Sequence, residues 1–102
     1  MEKCMARNRN SDINGKLFGN TTVGAVWEKG APIQNYDPAI WRRDKCGHAI
    51  KRTEYGNTQS QYGWEVDHMK PVAKGGTDDL SNLQPLFWET NRDKSDTYPW
   101  QC

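Results

Sequence analysis

Asp67 and His68 stand side by side in this chain, and two amide side chains follow them at Asn82 and Asn91. An Asp carboxylate and an Asn carbonyl are hard oxygen donors, so Asp67 and Asn91 together suit Mg²⁺ or Mn²⁺, with the remaining coordination positions left to water and to a substrate oxygen. Neutral imidazole, with an unperturbed pKa of about 6.5, accepts a proton near pH 7, which makes His68 a candidate base beside that cation. Each residue also has an ordinary use. Asp67 could end a strand in a turn, His68 could be a core histidine, Asn82 could make an Asx turn before Leu83, and Asn91 could be a solvated helix residue. Asn is a mediocre helix former, however, so its place beside Arg92 and Lys94 asks for a specific reason.

The flanking residues predict elements that would position this set. Trp64 to Val66 reads as a short strand closed by Pro71 and Gly75-Gly76, which puts Asp67 and His68 at its end. Gly75 to Asp79 reads as a loop, and Leu80 to Leu86 as a second, partly irregular strand. From about Leu86 to Lys94 a helix is expected, with Phe87, Asn91 and Lys94 sharing one face. Upstream, residues 1–20 are polar and read as a flexible arm or a loose hairpin tip. Thr21 to Lys29 alternates as a strand would, and Asp37-Pro38 should start a short helix running through Trp41 to Lys45 and stopped at Gly47. Ala49 to Tyr55 reads as a further strand, followed by a polar loop over 56–61.

The order and spacing of Asp67-His68, Asn82 and Asn91 resemble those of HNH nucleases, the ββα-metal superfamily. The likeness covers residues 63–96, and its end, Asn91-Arg92-Asp93-Lys94-Ser95-Asp96, looks like the HNH domain of CRISPR effector nucleases, where Asn also stands for the third His. Residues 27–62, with Asp37-Pro38, Trp41-Arg42, Asp44, Cys46-Gly47 and Tyr55-Gly56, are similar to the upstream part of small stand-alone bacterial and phage HNH proteins. The resemblance implies an α+β fold with a ββα-metal motif and an upstream strand/short-helix extension: an arm over 1–20 and a nuclease domain over 21–102, its core at about 63–96. It implies a DNA endonuclease leaving 5′-phosphate and 3′-hydroxyl ends, and one metal with one base makes one active site, so nicking is expected. His68 would be the general base, Asp67 and Asn91 the ligands of one Mg²⁺ or Mn²⁺, and Asn82 the brace of the loop between the strands. A binding module that keeps the fold without turnover is the alternative, and a toxin-like nuclease a third reading.

At 102 residues and 34% hydrophobic, the chain has the size of one domain with a modest core. The expected packing anchors are Trp27, Trp41, Trp64, Trp88, Tyr55 and Tyr62 with Ile50, Val66, Val72, Leu80, Leu83 and Leu86. The net charge of +1 hides an asymmetry: residues 1–52 carry ten Lys/Arg against five Asp/Glu, and residues 53–102 four against eight. Arg42, Arg43 and Arg52 form the expected phosphate footprint, with Lys70, Arg92 and Lys94 closer to the cation. DNA is therefore the expected partner, with a larger protein or a second copy of the chain possible beside it. Three cysteines, Cys4, Cys46 and Cys102, argue against a disulfide framework, and the missing Cys-x-x-Cys pair argues against zinc. No apolar run is long enough for a membrane span, so a cytoplasmic location is the expectation.

Overall fold

The computed structural model describes residues 9–102, and its core is a two-stranded ribbon with both faces buried. Strand β4 (Trp64–His68) pairs antiparallel with β5 (Leu83–Phe87), in a register that sets Trp64 against Phe87, Asp67 against Gln84 and His68 against Leu83. Along β4 the side chains alternate between faces. Trp64 and Val66 join the apolar cluster with Leu83 and Phe87, while Glu65 and Asp67 face the other way, buried but polar. A helix, α2 (Trp88–Lys94), follows β5 directly and buries Asn91 and Lys94. The fold is α+β, and β4, β5 and α2 form its ββα unit.

Upstream lie α1 (Asn20–Trp27), β1 (Ala31–Pro32), β2 (Trp41–Arg43) and β3 (Ala49–Lys51), the three strands forming a small antiparallel sheet in the order β1-β2-β3. Helix α1 buries Val23, Val26 and Trp27 against the ribbon, and the Trp27 and Trp64 rings sit 5.1 Å apart at a tilt. Such an aromatic pair adds about 0.5–1.5 kcal/mol beyond the area it buries. Three indoles are satisfied: Trp27 donates to the Pro38 carbonyl, Trp64 to that of Lys51 and the half-buried Trp88 to that of Ser60.

A two-stranded ribbon has two exposed edges, and here loops and side chains cover them. On the β4 edge, the Val66 N–H donates to Asn10 Oδ1, the Trp64 carbonyl accepts from Gly56 and the His68 carbonyl accepts from Lys94 Nζ. On the β5 edge, the Phe87 N–H donates to Asp44 Oδ2, and the Leu83 carbonyl accepts from Lys29 Nζ. The same parity explains how Pro85 sits inside a buried strand. It faces Val66, whose N–H points outward, so the N–H that proline lacks would not have joined the ladder.

Several sequence expectations are corrected. Thr21 to Lys29 is a helix over Asn20–Trp27, because Val23, Val26 and Trp27 recur at helical spacing and the ribbon gives that face something to cover. Asp37-Pro38 opens only a turn: Asp37 Oδ1 accepts from Ala39 N, and its carbonyl accepts from Ile40 and Trp41 N. Trp41 to Arg43 is then a strand, hairpinned to β3 through Gly47 at φ 84°, a turn glycine rather than a helix stop. Strand β3 ends at Lys51 and gives way to a 3₁₀ turn over Arg52–Glu54, and Leu80–Asn82 is likewise a 3₁₀ turn. Leu80 is 45% exposed, so it is not a core anchor, and Trp41, Trp88, Tyr55, Tyr62 and Val72 are only half-buried.

The cysteine reading is also corrected, because Cys46 and Cys102 are joined in a disulfide, with Cα atoms 5.5 Å apart. The odd third cysteine, Cys4, had obscured a pair that the fold brings together across most of the ββα unit. Of the expected N-terminal arm, residues 1–8 lie outside the described residues, and residues 11–17 form a small hydrogen-bonded hairpin. Asp12 accepts from Gly15 N and its side chain from Asn14 and Lys16 N, and Ser11 bridges to Leu17. Among the described residues, no helix is long and apolar enough to cross a membrane.

Candidate functional site

Asp67, His68 and Asn91 line one cavity of about 120 Å³, together with Arg9, Asn10 and Lys94. It lies at the outer edge of β4, where Asn10 and Lys94 reach the backbone of Val66 and His68. That position lets residues from both faces of the strand meet: Asp67 arrives from the polar face and His68 from the last position of the strand. All three side chains are at most 6% exposed.

Each is held by a partner that sequence reasoning missed. Asn91 Nδ2 donates to Glu65 Oε1 at 2.9 Å, which fixes the amide so that Oδ1 is its acceptor end. His68 Nε2 lies 2.8 Å from Asp78 Oδ1, and Asp78 in turn accepts from the Ile13 N–H. Since an ionised carboxylate can only accept, Nε2 carries the proton and Nδ1 the lone pair. Phe18 packs beside the imidazole, with ring centroids 5.9 Å apart. Asp67 Oδ2 accepts from Gln84 Nε2 at 2.9 Å, its cross-strand neighbour, and Oδ1 lies 3.2 Å from Lys94 Nζ. Burial pushes the Asp67 carboxyl above the ordinary carboxylate range, against the opposing pull of Gln84 and Lys94.

Asn82 stands apart from the cavity wall and ties the loop that contributes Pro71 and Val72 to that wall. Its Oδ1 accepts from Lys70 N, and its Nδ2 donates to the carbonyls of Lys70 and Thr77. The loop runs so close that a Cβ at Gly76 would meet the Lys70 carbonyl oxygen at 1.7 Å. This bracing brings Asp78 to His68.

Of the six cations expected to touch nucleic acid, only Lys94 lines the cavity, and it is 2% exposed. Arg42 is turned inward, donating to the carbonyls of Pro38, Glu28 and Gly30, which makes it a brace of the upstream turns. Arg43, Lys70 and Arg92 are exposed, and Arg52 is half-buried. Arg92 lies over the Trp88 ring at 5.0 Å and Arg52 over Trp64 at 5.8 Å.

The donor chemistry fits a hard divalent cation held by one carboxylate and one amide oxygen. Among the described residues, no group of three or more His, Cys, Asp or Glu is gathered; Asp67 and Asn91 offer one carboxylate and one amide oxygen to the same cavity. A signal for Glu65 was available: it shares a strand face with Asp67. Asp78 and Gln84 depend on loop closure and strand register, which single residues do not disclose.

Residues 44–97 match a family model described as HNH endonuclease, over half of the 102-residue chain. The match runs from the Asp44 turn through β3, β4 and β5 to just past α2. No curated protein and no solved structure matches.

Proposed function

The chain belongs to the HNH endonuclease family, and from that premise we propose that it hydrolyses DNA phosphodiester bonds with one divalent cation, His68 serving as general base. Membership carries a nuclease-type fold and, across the family, divalent-metal use and action on DNA; catalysis by this chain is the proposal. The observation that supports it is the cavity itself, where Asp67, His68 and Asn91 converge with their orientations set by Gln84, Asp78 and Glu65.

Asp67 and Asn91 would hold Mg²⁺ or Mn²⁺, which supplies positive charge against the phosphate and the departing oxygen. His68 Nδ1 takes a proton from water, and Asp78 stabilises the imidazolium that forms. The water oxygen bonds to phosphorus as the bond to the 3′ oxygen breaks; that oxygen takes a proton from solvent water and His68 returns its own proton to solvent, leaving 5′-phosphate and 3′-hydroxyl ends. Asn82 serves by keeping the loop, and so Asp78, in place. One base at one centre cuts one strand per event, so a monomer would nick, and a double-strand break would take a second copy or a second event. Arg43, Arg52, Lys70 and Arg92 would meet the backbone phosphates, the exposed ones most directly.

Supercoiled plasmid is the substrate for the test, incubated with wild type and His68→Ala in Mg²⁺, Mn²⁺ or EDTA. Cation-dependent nicking that disappears in His68→Ala supports the reading, by a factor of roughly 10²–10⁴ for a general base. Equal nicking by both would remove His68 from the role. No cutting by wild type under any cation would favour a nucleic-acid-binding module with the same fold.

One observation favours a variation on this reading. A disulfide between Cys46 and Cys102 suits an oxidising surrounding better than a reducing cytosol, in line with a nuclease released against other cells rather than a cytoplasmic one. Thiol alkylation of the protein taken directly from cells would separate the two, since a cytosolic protein would be found reduced.

A further inference from the structure

We propose that Lys94 holds the place of the divalent cation in the metal-free site, and that metal binds by exchanging the ammonium off Asp67. This rests on the reading of Asp67 as a metal ligand. Lys94 is 2% exposed, and its Nζ lies 3.2 Å from Asp67 Oδ1 and 3.0 Å from the His68 carbonyl. A carboxylate and a carbonyl are the oxygen donors a hard cation seeks, so the ammonium occupies a cation's surroundings. Lys94 leaves α2 one turn after Asn91, which places its head in the gap between helix and strand that the Asp67/Asn91 pair also spans.

The carboxylate has little room for both. Gln84 takes Oδ2 and Lys94 takes Oδ1, and a divalent ion on the same carboxylate would face an ammonium in a poorly solvated cavity. Lysine is suited to yielding, because its charge sits on a flexible stem with rotatable donors, unlike the fixed fork of arginine. Its second acceptor, the His68 carbonyl, lies on the outer edge of β4 and can retain the ammonium at the cavity wall, in reach of a substrate oxygen. Without Lys94, Asp67 would be a buried carboxylate with no countercharge until a metal bound, so the device keeps the protein folded before metal binding at the expense of metal affinity.

The test uses the full chain and Mn²⁺ as probe, with binding read from the spin-resonance signal of free Mn²⁺ and stability from thermal melting. Lys94→Met should melt lower than wild type without metal, bind Mn²⁺ roughly tenfold or more tightly, and gain more in melting temperature from saturating Mn²⁺. A lysine that only braces the fold would lower melting and leave Mn²⁺ affinity unchanged or weaker, which would overturn the proposal. Should Lys94→Met not fold, the same comparison on Lys94→Gln decides. Asp67→Asn separates the two levels of the argument. If Asp67→Asn binds Mn²⁺ as wild type does, the metal-site reading fails and this inference with it. If Asp67→Asn loses Mn²⁺ while the Lys94 variants gain none, only the exchange is lost.

Discussion

Two buried aspartates, Asp44 at the upstream hairpin and Asp67 in the cavity, are 4% and 6% exposed and yet are held in opposite ways. Asp44 meets backbone: Oδ1 accepts from the N–H groups of Cys46 and His48, and Oδ2 from Phe87. It closes a turn and fastens that turn to β5, so each of its bonds is fixed by the chain path. Asp67 meets side chains, the Gln84 amide and the Lys94 ammonium, each of which can swing away. Equal burial therefore serves architecture in one place and exchangeable chemistry in the other. What distinguishes them is whether the partners can be replaced without moving the backbone.

Breaking this contrast at its architectural end should have the largest effect on stability. Asp44→Ala leaves three buried or half-buried N–H groups without their acceptor and should cost about 3–5 kcal/mol, read from urea denaturation. A loss below 1 kcal/mol would mean that Asp44 is not the fastening it looks to be. At the chemical end, Asp67→Asn should cut plasmid nicking by at least ~100-fold through loss of the cation. Its stability cost should stay below that of Asp44→Ala, because Asn keeps an acceptor for the Lys94 ammonium, which loses its countercharge but not its hydrogen bond. Equal destabilisation by the two variants would erase the distinction.

Acidity sharpens the same contrast. Burial raises the Asp67 pKa, so the folded protein holds that proton more tightly than the unfolded chain does. The charged form therefore costs stability above the folded pKa, and that cost is relieved as pH falls through the window between the folded value and the lower unfolded one. Protonation also competes with metal, so Mn²⁺ affinity should fall with acidity already above the ordinary Asp range. A carboxyl titration followed by NMR that gave Asp67 an ordinary or depressed pKa would remove this expectation. The smallest effect is expected at Arg92, exposed beside the cavity helix: Arg92→Ala should weaken DNA binding only several-fold and reduce its salt dependence by about one phosphate contact. A salt dependence identical to wild type would take Arg92 off the DNA surface.

The ββα unit was the legible half because its punctuation is local. An aromatic and β-branched run, the Gly75-Gly76 break and a helix-forming stretch follow one another, and the residues able to do chemistry sit on those regular elements. The upstream half was misread where two periodicities fit the same residues. Thr21 to Lys29 alternates and also repeats at helical spacing, and only the ribbon beneath α1 decides between them. Asp37 to Lys45 carried a helix-start signature that a hairpin turn at Gly47 overrode. The arginines show the limit of reading charge: Arg42 and Arg43 are neighbours, yet one turns inward onto three carbonyls and the other stays exposed, donating to the Gly47 carbonyl. Asp78 and Gln84 were invisible as orienting partners because a braced loop and strand register choose them, whereas Glu65 shares a strand face with Asp67.

The bridge from Cys46 to Cys102 spans 56 positions and encloses β3, the whole ribbon and α2. A protease that cut the peptide bond in an exposed loop within that span, around Asn57 or Gln61 for instance, would yield two fragments that remain one molecule. The nick would show as two bands on a gel only after reduction. The nuclease unit can thus lose the continuity of its backbone without losing its pieces.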